Sequence, residues 1–292
     1  MKIIITKQDE GIEIKNFLKN INMSHSLIKK LKKIPNGILV NGSHQNVLYK
    51  LKENDVLELN YDDTREETNE YLEPVNIPIE IIYEDENITA VNKGAGMPTH
   101  ESINNRGNSL ANALAYRYRD KNYVFRATNR LDKDTSGVVL TANNKYYAGL
   151  LSTKIKNGEI DKEYIAVVHG KLPQAGVINA GIKRIGESII KREVSVDGEF
   201  ALTEYSTLAS NENISVALVK PKTGRTHQIR VHMAHIGHPI VGDAMYGSES
   251  LEIDRHALHC FKMNVNGIGE FVAPLPNDIR DLIRRYFNES II

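Results

Sequence analysis

The sequence predicts an α+β protein, with a mixed, mainly antiparallel sheet flanked by helices and a small α/β domain in front of it. Three observations lead there. Apolar and polar residues alternate in the manner of strands through 163–169 and 201–208. The run Val138-Val139-Leu140-Thr141-Ala142 is apolar and β-branched, as a buried strand is. Before residue 60 the pattern differs, with Ile14, Phe17 and Leu18 at helical spacing and short extended runs after them.

Taken in order, residues 11–60 predict two short helices and a strand pair. Ser24 is placed to cap the second helix, which continues through Leu27, Ile28 and Leu31 and carries Lys29, Lys30, Lys32 and Lys33. Gly37-Ile38-Leu39-Val40-Asn41-Gly42 and Asn54-Asp55-Val56-Leu57-Glu58-Leu59 supply the strands. The lysine run is also what a solvated helix face shows.

Lysines plus arginines and aspartates plus glutamates number 37 each, a formal net charge of zero. Their distribution is uneven. Residues 1–60 hold ten lysines against six acids, whereas 61–87 hold ten acids against Arg65 alone. The acidic run from Asp62 to Glu73 reads as a solvated linker. It predicts a small domain at 1–60, a linker at 61–76 and one larger domain at 77–292, both domains mildly basic as binding to phosphate requires. Lys183, Arg184, Lys191 and Arg192 form a further basic stretch, either a backbone contact for RNA or an exposed hairpin. No apolar run approaches the roughly 20 residues of a bilayer span, and the start lacks the order of a secretory signal. A cytoplasmic protein without membrane partners is expected, and the single cysteine, Cys260, agrees with a reducing compartment.

Two constellations carry chemistry. In Asn129-Arg130-Leu131-Asp132-Lys133-Asp134-Thr135-Ser136-Gly137, Asp132 stands between an arginine and a turn, on a connection between extended residues 124–128 and the strand at 138–142. Such an aspartate caps a turn, or it serves as nucleophile or base, because a neighbouring cation keeps a carboxylate ionised. The second runs from Lys220 to Pro239, after a strand at 214–219, and includes Arg225, His227, Arg230, His232, His235 and His238. Arg225 and Arg230 are suited to hold a carboxylate, a phosphodiester, or one of each.

With these motifs the chain resembles the pseudouridine synthases of the RluA/RluD type, which isomerise uridine in ribosomal or transfer RNA. The resemblance rests on Arg130-Leu131-Asp132 with Thr135-Ser136-Gly137, on Lys162-Glu163-Tyr164-Ile165-Ala166, and on Thr223-Gly224-Arg225-Thr226-His227-Gln228-Ile229-Arg230-Val231-His232. Val91-Asn92-Lys93-Gly94-Ala95-Gly96, Gly242-Asp243, Tyr246-Gly247 and Leu258-His259 extend it from about Ile77 to Pro276. It implies a long curved sheet with a cleft along one face. Asp132 is then the essential carboxylate, adding to the uracil or to ribose carbon 1 as the glycosidic bond breaks. Tyr164 stacks on the flipped base and assists removal of the carbon-5 proton. The resemblance further pairs Arg230 with Asp132, sends Arg130 to the RNA near the extracted nucleotide, makes Arg225 and His227 further RNA-side candidates, and packs Ile229 under the base. It implies no metal, nucleotide or other cofactor, a monomer, and RNA as partner, large-subunit ribosomal RNA ahead of transfer RNA.

Residues 11–60 resemble the small RNA-binding module named after ribosomal protein S-four, which would give Lys29, Lys30, Lys32 and Lys33 an RNA-binding role. Two departures stand out: Asn129 replaces the histidine of many relatives, and 261–266 lacks their histidine–proline pair. Two other functions compete. His227, His232, His235 and His238 could ligate a metal, although cysteine and an H-E-x-x-H pattern are missing from the cluster. A non-catalytic RNA-binding factor is the other, against which intact Asp132, Tyr164 and Arg230 speak.

Overall fold

Two large groups of buried apolar side chains organise the chain, one drawn from Ile5 to Leu59 and the other from Ile88 to Ile283, with a small third group of Ile182, Ala201 and Val231. The computed structural model describes residues 1–61, 72–102, 106–121, 123–186, 190–247 and 249–287. Most of the acidic stretch expected as a linker, 62–71, lies outside the described residues.

The first group belongs to β1 (Lys2–Ile4), α1 (Ile14–Asn20), α2 (His25–Leu31), β2 (Ile38–Val40), β3 (Ser43–His44) and β4 (Val56–Leu59). The strands form one antiparallel sheet in the order β1-β4-β2-β3. The predicted strand pair is therefore the middle of a four-stranded sheet, whose extra strands are too short for a periodic signal. Ser24 Oγ accepts from the Leu27 amide at 3.3 Å, as the capping pattern predicts. Ile14, Phe17 and Leu18 on α1 and Leu27, Ile28 and Leu31 on α2 turn inward. Lys29, Lys32 and Lys33 are left exposed and Lys30 half-buried.

The remaining elements are β5 (Glu80–Glu84), β6 (Ile88–Lys93), α3 (Leu110–Arg117), β7 (Ser136–Ala142), α4 (Lys145–Lys156), β8 (Ile160–His169) and β9 (Ala175–Asn179). After them come β10 (Ile182–Arg184), β11 (Arg192–Val194), β12 (Leu202–Ser210), β13 (Ile214–Pro221), α5 (Gln228–His235), β14 (Leu258–Val265), β15 (Gly269–Val272) and α6 (Asn277–Tyr286). The main sheet runs β5-β6-β7-β14-β8-β13-β12-β9, with β15 beside β14. Its described pairings are antiparallel except β7 with β14, which is parallel through Ser136 to His259 and Gly137 to Cys260. The basic stretch at 183–192 is the separate hairpin β10–β11. Residues 124–128 form no strand, but Ala127 bridges Thr141 alongside β7. Tyr146 on α4 packs against the front core, and its hydroxyl donates to the Ile21 carbonyl at 2.9 Å.

β7 is buried along its whole length, as its apolar run predicts. Along β12, Thr203, Tyr205 and Thr207 are buried while Leu202, Glu204 and Ser206 are half-buried, the period of two seen in the sequence. The parallel pairing needs Gly137, whose φ is +114° and whose Cβ, if present, would lie 2.2 Å from the Cys260 carbonyl oxygen. Gly137→Ala is therefore expected to cost about 4 kcal/mol or more through backbone strain and clash. Urea unfolding should show it, and a loss below about 1 kcal/mol would mean that β14 can shift away.

This sheet order positions the site. The loop before β7 and the loop between β13 and α5 stand on either side of the adjacent strands β14 and β8, so their side chains meet above Tyr164 and Leu258.

Candidate active site

Asp132 sits on the loop before β7, and that loop is fixed through its backbone. Thr99 Oγ1 donates to the Leu131 carbonyl and accepts from the Leu131 amide, both at 3.1 Å. Asn129 Nδ2 donates to the Val138 carbonyl, while its Oδ1 accepts from the Leu140 amide, both at 3.0 Å. Asn129 thus serves as a clamp onto β7. Two buried cations hold the other side: Lys93 Nζ donates to the Lys133 carbonyl at 3.1 Å and Arg255 Nη1 to the Asp134 carbonyl at 2.9 Å. Burial pushes Lys93 down to about 7 against the opposing pull of Asp134 and Asp132. The loop is built to keep one carboxylate still.

Arg230, on the first turn of α5, spans two carboxylates. Its Nη1 donates to Asp132 Oδ2 at 3.1 Å, while Nε and Nη2 donate to Asp243 at 2.7 and 2.8 Å. Asp243 is fully buried and also accepts from the Met245 and Tyr246 amides. Burial alone would raise its pKa, and the hydrogen bonds and charge of Arg230 more than reverse that, so the carboxyl is held below its usual range. A bidentate partner at one end leaves the guanidinium one edge, which it offers to the half-exposed Asp132.

His227 caps α5 in the left-handed region at φ 56°, a conformation that costs a non-glycine residue about 1–3 kcal/mol. The turn is sustained by Gln228, whose buried amide accepts from Thr223 Oγ1 and the Arg225 amide and donates to the Leu202 carbonyl and Thr203 Oγ1. His227 Nε2 lies 3.8 Å from Asp132 Oδ2, and burial holds the ring neutral by lowering its pKa. Tyr246 Oη accepts from the Arg192 amide at 2.9 Å and stands 2.8 Å from His227 Nδ1. With the phenol donating to Nδ1, the imidazole carries its proton on Nε2, facing Asp132. Tyr246→Phe strips both groups of their partner and is expected to cost about 1–3 kcal/mol, read as a lower urea midpoint at unchanged slope. His256, with Nε2 2.7 Å from Thr135 Oγ1, is pushed down to about 4 by burial and by Arg230, so it adds no charge behind Asp132.

Asp132, Tyr164, Arg230, Arg130, Arg225, His227 and Ile229 all line one pocket, which shares lining residues with a larger groove past Thr99, Lys133 and Lys222. Tyr164 is almost fully buried on β8, and burial raises its phenol well above the ordinary value. Arg130 is exposed and makes no hydrogen bond or ion pair with the described residues. Arg225 is occupied: it is paired with Glu199, and its Nε donates to the Phe200 carbonyl at 3.1 Å. Lys29, Lys30, Lys32 and Lys33 do not line the cavity or the groove.

The histidines do not converge. His232 spends both ring nitrogens on Thr203 Oγ1 and the Ala180 carbonyl, and His238 Nδ1 lies 2.9 Å from the His169 carbonyl. Among the described residues no group of three potential ligands could hold a metal ion. Asp243, Tyr246, Lys93, Lys162 and Arg255 are site features to which the sequence motifs assigned no role. One signal was available for Asp243: an arginine buried in a helix needs a buried counter-charge.

A carboxylate on a rigid loop, steered by a doubly paired arginine into a pocket walled by aromatic and aliphatic side chains beside a longer groove, is the site of an RNA-modifying isomerase. The profile of the RNA pseudouridylate synthase family matches residues 87–235, and the chain belongs to that family. It is an RNA pseudouridine synthase of the RluA/RluD type. It is 36% identical to the RNA pseudouridine synthase YjbO of Bacillus subtilis, over 93% of this chain and 98% of that protein. It is also 36% identical to ribosomal large subunit pseudouridine synthase D of Xylella fastidiosa, over 75% of this chain and 72% of that one. Among solved structures, human RNA pseudouridylate synthase domain containing 1 matches with a TM-score of 0.56 at 28% identity, covering 68% of this chain and 83% of that one.

Proposed function

We propose that the chain converts specific uridines of large-subunit ribosomal RNA to pseudouridine, with Asp132 as the attacking group. The observation that carries this is the Asp132–Arg230–Asp243 chain of charge at the mouth of a cavity walled by Tyr164, Ile229 and Leu258. The choice of ribosomal RNA is supported by relatives named as ribosomal large subunit enzymes. The target base is extracted from its stack, at a cost of a few kcal/mol that the cavity's contacts offset. Tyr164 offers the base an aromatic face and Ile229 packs it from the α5 side. Arg230 orients Asp132 through its Nη1 hydrogen bond, so the other carboxylate oxygen is left to attack. Arg130, exposed at the cavity mouth, takes the RNA backbone beside the extracted nucleotide. The front module, with its exposed lysines, adds a second RNA contact.

The test is tritium release from ribosomal RNA labelled at uridine carbon 5, with no metal or nucleotide added. Release by the purified protein supports the proposal, and release from transfer RNA alone would replace the substrate. Tyr164→Phe keeps the ring and removes the hydroxyl. With that hydroxyl handling the carbon-5 proton, release should slow by about 10²-fold or more; unchanged release would leave stacking as its whole contribution.

A further inference from the structure

Lys162 lies on β8 two residues from Tyr164, so both side chains point to the same face of the sheet. It lines the inner cavity and the groove, and a Cβ built on Gly224 would come within 4.0 Å of its Nζ. The ammonium thus stands against the loop 223–225, across the cavity entrance. It makes no hydrogen bond or ion pair with the described residues. The adjacent carboxylate, Glu163, faces the other side of the strand and is shared by Lys220 at 2.7 Å and Lys262 at 3.5 Å. Burial lowers the pKa of Lys162, against the opposing pull of Cys260. Lys93 shows how this fold treats a structural lysine, with three carbonyls around its Nζ. Lys162 has no such shell, and a desolvated cation without a partner is costly unless a ligand supplies one.

The reaction supplies one. If Asp132 attacks ribose C1′, the electron pair of the C1′–N1 bond leaves with the uracil and is shared among N1, O2 and O4. If Asp132 adds to C6, the pair of the 5,6 double bond moves onto O4 as an enolate. In the first course C5 then bonds to C1′ and displaces the Asp132 carboxylate; in the second the C1′–N1 bond breaks, C5 bonds to C1′, and Asp132 leaves C6 as the 5,6 double bond reforms. In both, the C5 proton departs and N1 gains one, so the transient charge lies on the carbonyl edge of the ring. Lys162 lines the same pocket as Asp132 and Arg230, within which that edge must find its partner.

We propose that Lys162 is a catalytic residue, whose ammonium holds a carbonyl oxygen of the extracted uracil and stabilises the negative charge that develops there. It keeps its own proton throughout. The proposal rests on the isomerase reading of the site. Single-turnover tritium release and RNA affinity across a salt series test it in wild type, Lys162→Met, Lys162→Gln and Lys162→Arg, with Asp132→Asn alongside. Lys162→Met should lose about 10²–10³-fold in rate while RNA affinity stays within about threefold. Lys162→Arg should recover most of the loss, and Lys162→Gln, which keeps a donor without charge, only part of it. Should the methionine variant fail to fold, the glutamine and arginine pair carries the same comparison. Unchanged rates in the uncharged variants would overturn the proposal. So would a loss confined to affinity with a salt slope lower by about one, which marks a phosphate contact instead. A wild type silent on every RNA would overturn the isomerase reading beneath it.

Discussion

Asp132→Asn should abolish isomerisation, with a fall of at least about 10³-fold in single-turnover rate, while RNA affinity stays within about threefold. The substitution changes one oxygen to nitrogen and leaves the shape intact. The remaining amide oxygen can still accept from Arg230 Nη1, and the loop does not depend on the carboxylate, since Thr99, Asn129, Lys93 and Arg255 hold its backbone. Arg230 keeps both bonds to Asp243, so no buried charge is orphaned. What disappears is an anionic nucleophile, and an amide oxygen forms no comparable bond to carbon at this site. Tritium release and filter binding on the same RNA separate the two effects. Full activity in the variant would reassign the chemistry to another group, whereas weakened binding with normal single-turnover rate would make Asp132 a recognition residue.

The parts of this molecule that were legible in the sequence are those in which local pattern and chemistry coincide. β7 announces itself because every residue is buried, and β12 because its two faces differ. Asp132 and Arg230 fall in short motifs whose residue types are unusual for a plain turn or a plain helix. Asp243 is different: it lies 13 residues beyond its arginine, after the end of α5, and only the return of the chain towards β14 brings them together. Tyr246 and His227 are likewise joined by packing rather than by spacing. Lys162 was visible as part of a strand motif, but a strand lysine gives no sign of having a partner or lacking one until its neighbours are placed. The edge strands β1 and β3 of the front sheet are two or three residues long, too short to show any period.

Arg230→Met should be the most destabilising of the site substitutions, because it leaves Asp243 as a fully buried carboxylate with backbone amides alone for partners. Removing one member of a buried pair costs about 3–5 kcal/mol. In the wild type the folded-state pKa of Asp243 is depressed, so its contribution is present above the unfolded value of about 3.9 and is lost as pH falls through the lower folded one. In the variant the sign reverses. Burial without Arg230 raises the pKa above the unfolded value, so the penalty grows as pH rises past about 4 and vanishes below it. The gap in melting temperature between the two proteins should therefore be wide at neutral pH and narrow towards pH 4. Adding Asp243→Asn to the variant should recover much of the loss at neutral pH, since the charge that needed a partner is gone. Neither change should restore isomerisation, because Asp132 has still lost the guanidinium that orients it. A melting gap independent of pH would mean that water reaches Asp243 once the arginine side chain is removed, and that the pair is a surface feature in energetic terms despite its burial.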